Sequence, residues 1–343
     1  SDADASDSRL ALVDPDYEMP AEWKYSLGAT YELSNGYVFD VDYLHTRGKD
    51  PAYYVDVSQD VVGETSIGLP IYDFARGEQN FMLTNSNQTP VANVLSLTMR
   101  KRFDNGIDLL AGYAFTDAED VSPMTSSVAG SNFSNLALND LVEPEAATSN
   151  YVVPHRLTMR MNYQTKLWGD NMTRVSLRGY ASEGRPGSYV MGSDDQEGDQ
   201  RFGRHLLYVP TGPSDPNVVI GEGFDYAAFE AWRQREGVGT GLQARNDFHA
   251  DWSYRLDLRL DQEVPLYNDL KGRLYFKIYN LTNLLNSDWG QQNRAQFYSQ
   301  QVVQSSIDDQ GRYVFERFSD RSVNDVSETA SLWEMRIGFS VRF

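Results

Sequence analysis

The segment "RLDLRLDQE" sets Arg255, Asp257, Arg259 and Asp261 at every second position, the clearest chemical spacing in the chain. On an extended strand residues i and i+2 share one face, so charges of both signs would line a single surface. The same spacing gives Arg156 with Arg160, Arg174 with Arg178, Arg273 with Lys277, and Arg336, while Lys24, Arg100 and Arg102 extend the set. Such a surface supports two chemistries. Its cations can pair with carboxylates of their own wall and of a domain lodged against it, or they can offer an anionic solute a path, because rings of charge set pore selectivity.

Catalytic chemistry has little to stand on. His45, His155, His205 and His249 show neither metal-ligand spacing nor a nucleophile partner, and His155 reads as part of a strand-start turn after Pro154. No Gly-rich phosphate loop and no GxSxG elbow occurs, so no enzyme activity is expected. Asp194, Asp195, Glu197 and Asp199 in "SDDQEGDQ" could take Ca²⁺, a hard ion that wants several oxygens. Their spacing is not that of an EF-hand, and a solvated acidic loop is the plainer reading. No other cofactor is expected. A chain without cysteine has no thiolate site, and a net charge of −19 argues against a nucleic-acid partner.

The elements that position these residues read as strands. Eight form pairs around short turns: "WKYSLGATYEL" and "YVFDVDYLHT" around "SNG", "VLSLTMRKRF" and "IDLLAGYAFT" around "DNG", "HRLTMRMNYQTKL" and "TRVSLRGYAS" around "WGDNM", and "DWSYRLDLRLDQEVPL" and "GRLYFKIYNL" around "YNDLK". Asn-Gly between alternating strands is the strongest short-range hairpin signal. The terminal "SLWEMRIGFSVRF" stands ninth. Connections between pairs, roughly 49–90, 119–153, 185–249 and 286–330, are long and rich in Gly, Pro, Ser, Asn and Asp. Short turns at one end and long loops at the other are the habit of outer-membrane barrels.

Face by face the pattern agrees with an all-β transmembrane antiparallel barrel. Trp252, Tyr254, Leu256, Leu258 and Leu260 would meet lipid, as would Leu157, Met159, Met161 and Tyr163, while the charged set faces the lumen. Aromatics near strand ends, such as Trp333, Trp168 and Phe103, suit interfacial girdles. The rival reading is a soluble sandwich, whose apolar face would need a partner sheet.

With the short turns taken as periplasmic, the first and ninth strands both run toward the periplasm. Two such strands cannot close an antiparallel barrel, and single-chain bacterial barrels have even strand numbers. Either a further strand escapes the alternation, or these nine are part of a larger barrel. Residues 1–20, acidic and loop-like, are expected outside the cell, 21–343 as barrel strands and loops, and the C-terminus at the periplasmic side. The start carries no targeting signal and reads as a mature or cut chain.

Within the longest connection, "GFDYAAFEAWRQREG" reads as a short amphipathic helix stopped at Gly237. Tyr208, Phe224, Phe229 and Trp232 are candidates for a lid or a binding surface above the barrel mouth, against the plainer reading of a helix that packs its own loop.

Ordered along the chain, "PHRLTMRMNY", "GRPGSY", "RLDLRLDQEVPL", "IYNLTNLLN" and "RIGFSVRF" resemble the C-terminal half of a TonB-dependent outer-membrane receptor. "DPDYEMPAEWKYSLGATYEL", "DVSPMTSSVAGSNF" and "LLYVPTGPSDPNVV" with "FDYAAFEAWRQREG" resemble its Oar-like branch. The resemblance implies a 22-stranded barrel of which these are the last nine strands, a plug domain and TonB box absent from these residues, and energised transport of a bulky solute or polypeptide. It implies as partners the N-terminal barrel-and-plug portion of the same receptor, TonB-ExbB-ExbD acting through the plug, and outer-membrane lipid and lipopolysaccharide. The barrel assembly machinery would read the terminal Phe339, Val341 and Phe343. Two alternatives stand beside it: a non-energised barrel for secretion or surface adhesion, and a soluble acidic β-rich carbohydrate-binding protein.

Overall fold

The computed structural model describes residues 10–74, 79–192, 204–267, 270–295 and 299–341. Nine strands make one antiparallel meander: β1 (Ala21–Glu32), β2 (Tyr37–Lys49), β3 (Val91–Arg102), β4 (Ile107–Asp120), β5 (His155–Trp168), β6 (Asn171–Ser182), β7 (Ser253–Pro265), β8 (Lys271–Tyr279) and β9 (Glu334–Val341). Each pairs with its neighbours in sequence order, and all nine are the strands expected from alternation. The Asn-Gly turns fall at Gly36 and Gly106, with φ of +78° and +87°, backbone that only glycine enters without strain. A Cβ at Gly106 would also strike the Gln164 carbonyl, because this turn packs on β5, whose Gln164 N–H donates to the Gly106 carbonyl at 3.0 Å.

Register keeps the two faces apart across the sheet. Leu109, Met161, Leu177, Leu258, Ile278 and Met335 are successive cross-strand partners on one face. On the other face Asn162, Ser176, Arg259, Lys277 and Arg336 run in the same way. A slip of one residue between any two strands would send an arginine to the apolar side. The apolar face has no cover: Leu27 is 77% exposed, Ile337 69% and Phe339 53%, with Trp23, Tyr31, Leu157 and Met159 also exposed. A sandwich would bury this face under a second sheet, and a soluble monomer rarely exposes more than a few hundred Å² of contiguous apolar surface.

The sheet is open among the described residues. β1 and β9 are its edges, and because every neighbouring pair is antiparallel they run the same way. The four tight turns lie at one end and the long connections at the other.

Those connections are not the coil their composition suggested. Ala52–Asp56 and Phe81–Asn85 pair, and Ala11–Val13, from the segment read as loop, joins Phe81–Asn85 in parallel. Segments 183–252 and 280–333 build a second sheet together. Pro186–Met191 pairs in parallel with Ser299–Ile307, which pairs with Tyr313–Phe318, which takes Val218–Ile220. Its core holds Tyr189, Phe224, Phe229, Trp232, Tyr313 and Phe315, with the helix Tyr226–Glu236 packed on it. The long connections thus fold into a cap with its own hydrophobic core.

Candidate functional site

The charged face belongs to the sheet's own alternation, and all the cations singled out by spacing lie on it. Three in-strand pairs are closed: Arg255 donates to Asp257 at 2.7 Å, Arg259 grips Asp261 with two bonds of 2.5 Å, and Arg336 bonds Glu334, its second contact at 3.2 Å. Two-pronged guanidinium–carboxylate contacts are the stronger kind. On β8, Tyr279 lies between the guanidiniums of Arg255 and Arg336 at 5.5 and 5.2 Å, and Tyr275 lies under Arg259 and Lys277 at 5.2 and 5.4 Å. These are cation–π distances. Gly338 makes the second arrangement possible, because any side chain there would run into the Tyr275 ring.

Other cations are shared out less fully. Arg160 and Arg102 reach Asp108 at 3.5 and 3.8 Å, Arg100 bonds Asp40 at 3.0 Å, Lys24 bonds Glu22 at 2.8 Å, and Arg156 lies 5.8 Å over Tyr180. Arg174, Arg178, Arg273 and Lys277 have no ion pair among the described residues. These four cations stand on β6 and β8, where Arg174 and Arg273 share the charge of Asp261 without direct contact.

Above this wall a polar cleft of 830 Å³ opens between the first three long connections. Asn87, Gln88, Asn139, Asp140, Glu143 and Glu145 line it, with Tyr53 and Leu69 supplying apolar surface. Arg245 holds its floor, donating to the Val121 carbonyl at 2.7 Å and pairing with Asp120 at 3.1 Å. Neither the cleft nor Arg245 is visible in sequence, because their parts lie in connections read as coil.

The loop aromatics are placed inside rather than on a surface. Tyr208, Phe224, Phe229 and Trp232 are 7%, 6%, 0% and 1% exposed. Trp232 donates its indole N–H to the Arg321 carbonyl at 2.7 Å, and Tyr208 meets Asp215 and Asn217. Asp225 caps the helix by accepting from Ala228 N–H at 3.0 Å, and Gly237 ends it with φ of +70°. Phe229 and Trp232 on the helix, with Tyr208 and Phe224 outside it, thus pack the loop as the plainer reading expected; a surface for a partner must come from the helix's outer side. There Arg233 and Gln234 bond Glu230 and hold its carboxyl down at about 2. Arg235 clamps Asp320, lowering that carboxyl as well.

Histidines occupy supporting places. His155 begins β5, accepts or donates at 2.8 Å to the Tyr113 hydroxyl, and stacks on Trp252. His45 contacts Asn93 at 2.9 Å, and His205 and His249 belong to the cap. Among the described residues no group of three or more His, Asp or Glu could hold a metal ion. The Ca²⁺ candidates Asp194, Asp195, Glu197 and Asp199 lie outside the described residues, as does Phe343; Phe339 and Val341 sit on the apolar face of β9.

One face apolar and bare, the other charged, and loops all at one end are together the habit of a membrane barrel. The family described as outer membrane beta barrel domain matches residues 2–312. The chain belongs to this family. No curated protein matches it. As an outer membrane beta barrel domain, its location is the outer membrane.

Proposed function

We propose that this chain is the C-terminal wall of a TonB-dependent transporter of the Oar-like branch, moving a bulky solute or polypeptide across the outer membrane. The observation that carries the reading is the open meander whose edge strands run the same way. Unpaired backbone edges in lipid cost several kcal/mol per group, so β1 and β9 need strands beyond these nine, and an antiparallel closure needs an odd number of them. A 22-stranded barrel supplies thirteen. The resemblance of the strand and loop motifs supports the same reading, with the plug, the TonB box and the contact to TonB-ExbB-ExbD lying in that further portion. The long-loop cap would face outward and the tight turns and C-terminus the periplasm. The wall would seat the plug and line the path, with neither catalysis nor a cofactor of its own.

A second reading, a barrel for secretion or adhesion without energised transport, draws on the packed cap, whose core makes it a firm platform for a surface partner. The sequence encoded ahead of Ser1 separates the two. A plug domain with a TonB box that is pulled down by the purified periplasmic domain of TonB supports transport. A passenger domain in that place reverses the choice.

A further inference from the structure

The polar cleft above the wall holds acceptors whose donors are missing. Asp140, Glu143 and Glu145 line it and make no ion pair among the described residues, while the lining cation Arg245 is already engaged by Asp120 at 3.1 Å. Asp140 accepts the Tyr72 hydroxyl and the N–H groups of Val142 and Glu143 all on Oδ1, which leaves Oδ2 without a partner among the described residues. Gln243 adds a fixed acceptor. It is 8% exposed and lines the cleft, and its amide nitrogen donates to the Gly239 and Gly241 carbonyls at 3.1 and 2.8 Å. Those two bonds set its orientation, and its side-chain carbonyl accepts nothing among the described residues. The side-chain oxygen of Asn139, also in the lining, is buried without a partner. Burial and the charges of Glu143 and Asp140 push the Tyr53 hydroxyl up from its usual value, a mark of negative potential in the cleft.

We infer that this cleft binds an extended, cationic segment of a polypeptide, its lysine or arginine side chains lying among the three carboxylates. The inference rests on the proposed function only in taking the cap to face outward, and it gives the bound molecule a chemistry. Ammonium and guanidinium groups bring donors and no acceptor, which is what a lining of unpaired acceptors calls for. One exposed ion pair is worth little, so the site needs several cations on one chain, matched to carboxylates spread from Asp140 to Glu145. The side-chain amides of Asn87 and Gln88 make no hydrogen bond among the described residues and suit the peptide groups between those cations. Leu69, Pro70 and Leu242 give the cleft an apolar wall for the side chains that a bare polyamine lacks. At 830 Å³ the cleft has the size of a ligand site rather than of a single-ion site. An anionic solute is disfavoured here by the same carboxylates.

The test uses the protein produced from its complete gene, so that whatever strands pair with β1 and β9 are present, in sheared outer-membrane fragments open on both faces. The probe is a biotinylated peptide of alternating lysine and alanine that carries a benzophenone. Photocrosslinks are mapped by mass spectrometry and titrated for apparent affinity, and they are expected within 137–147 and 242–245. Glu143→Gln with Glu145→Gln changes two exposed side chains that make no hydrogen bond among the described residues, so the fold is kept. It is expected to weaken labelling about fivefold, the scale of two exposed ion pairs. Leu69→Trp, which fills the cleft and leaves its charge alone, is expected to lose labelling as well. Asp309→Asn, at an exposed cap carboxylate outside the cleft, is expected to change nothing. A glutamate–alanine peptide is expected to label weakly, and spermine to compete less well than the unlabelled lysine peptide. Equal labelling in the double variant, in Leu69→Trp or with the glutamate peptide overturns the site, as does an equal loss in Asp309→Asn. Spermine competing as well as the peptide overturns the polypeptide in favour of a polyamine. Labelling of fragments but not of intact cells keeps the site and reverses the outward placement of the cap, so the two failures are distinct.

Discussion

At the residue scale one ion pair of the charged face joins partners that differ in burial. The Asp261 side chain is 6% exposed and its Arg259 partner 36%. Replacing Arg259 by Met would leave a buried carboxylate without its cation, and breaking such a pair costs about 3–5 kcal/mol. Replacing both, as Arg259→Met with Asp261→Leu, is expected to cost much less. Urea unfolding of the three proteins in micelles measures the difference, and equal losses in the single and double variants would show that the pair is not coupled. These residues were legible in sequence because period two alone fixes the face of a strand residue. Arg245 was not. It is buried by chain segments more than a hundred residues away, at Asp120 and Val121, and nothing local to it reports that. The loop aromatics fell between: their helix was legible, but their burial depends on Tyr313, Phe315 and Phe318, which read as coil.

At the element scale the nine strands and the cap were unequally readable. Strands β1 to β9 alternate for eight residues or more and turn at Gly36 and Gly106, so both their faces and their ends are written locally. The cap sheet is written nowhere locally. Pro186–Met191 is buried on both faces, so it lacks alternation, and its parallel partner Ser299–Ile307 is remote in sequence. The ion pairs on the cap's outer side have a pH signature. The Glu230 carboxyl is held at about 2 by its bonds to Arg233 and Gln234, and Asp320 is lowered by Arg235. Carboxylates with depressed values stabilise the folded state above their unfolded values, about 4, and lose that contribution as pH falls through the folded ones. The cap is therefore expected to loosen between about pH 4 and pH 2 while strand content persists. Near-ultraviolet circular dichroism of the packed aromatics should fall there before the far-ultraviolet signal; simultaneous loss would mean that cap and sheet unfold as one. Trp232→Ala is expected to loosen the same element at neutral pH, by about 3–5 kcal/mol, seen as new proteolytic cuts within 210–247. Asp225→Ala, which removes only the helix cap, is expected to cost about 1 kcal/mol and to leave those sites protected.

At the scale of the whole molecule, the decisive quantity is the unpaired backbone along β1 and β9. Within each strand of the interior, both edges are satisfied by neighbours; along these two, one edge has no partner among the described residues. In water such an edge is hydrated, and in lipid it is not, so a nine-stranded sheet is tolerable in solution and not in a bilayer core. Closed outer-membrane barrels owe their resistance to detergent to the absence of that edge. The chain alone is therefore expected to run at its unfolded position in sodium dodecyl sulphate without boiling. Supplied with the strands that complete it, it should gain a compact, heat-modifiable band. Cysteines placed at Leu27 and Ile337, on the exposed apolar sides of the two edge strands, add a geometric check. In a barrel completed by further strands these positions are separated by the whole inserted arc and should not form a disulfide. If the chain alone gives a compact, heat-modifiable monomer in which these cysteines do crosslink, its two edges meet each other despite running the same way. The proposal of a larger barrel would then have to be abandoned, together with the transport mechanism that depends on a plug inside it.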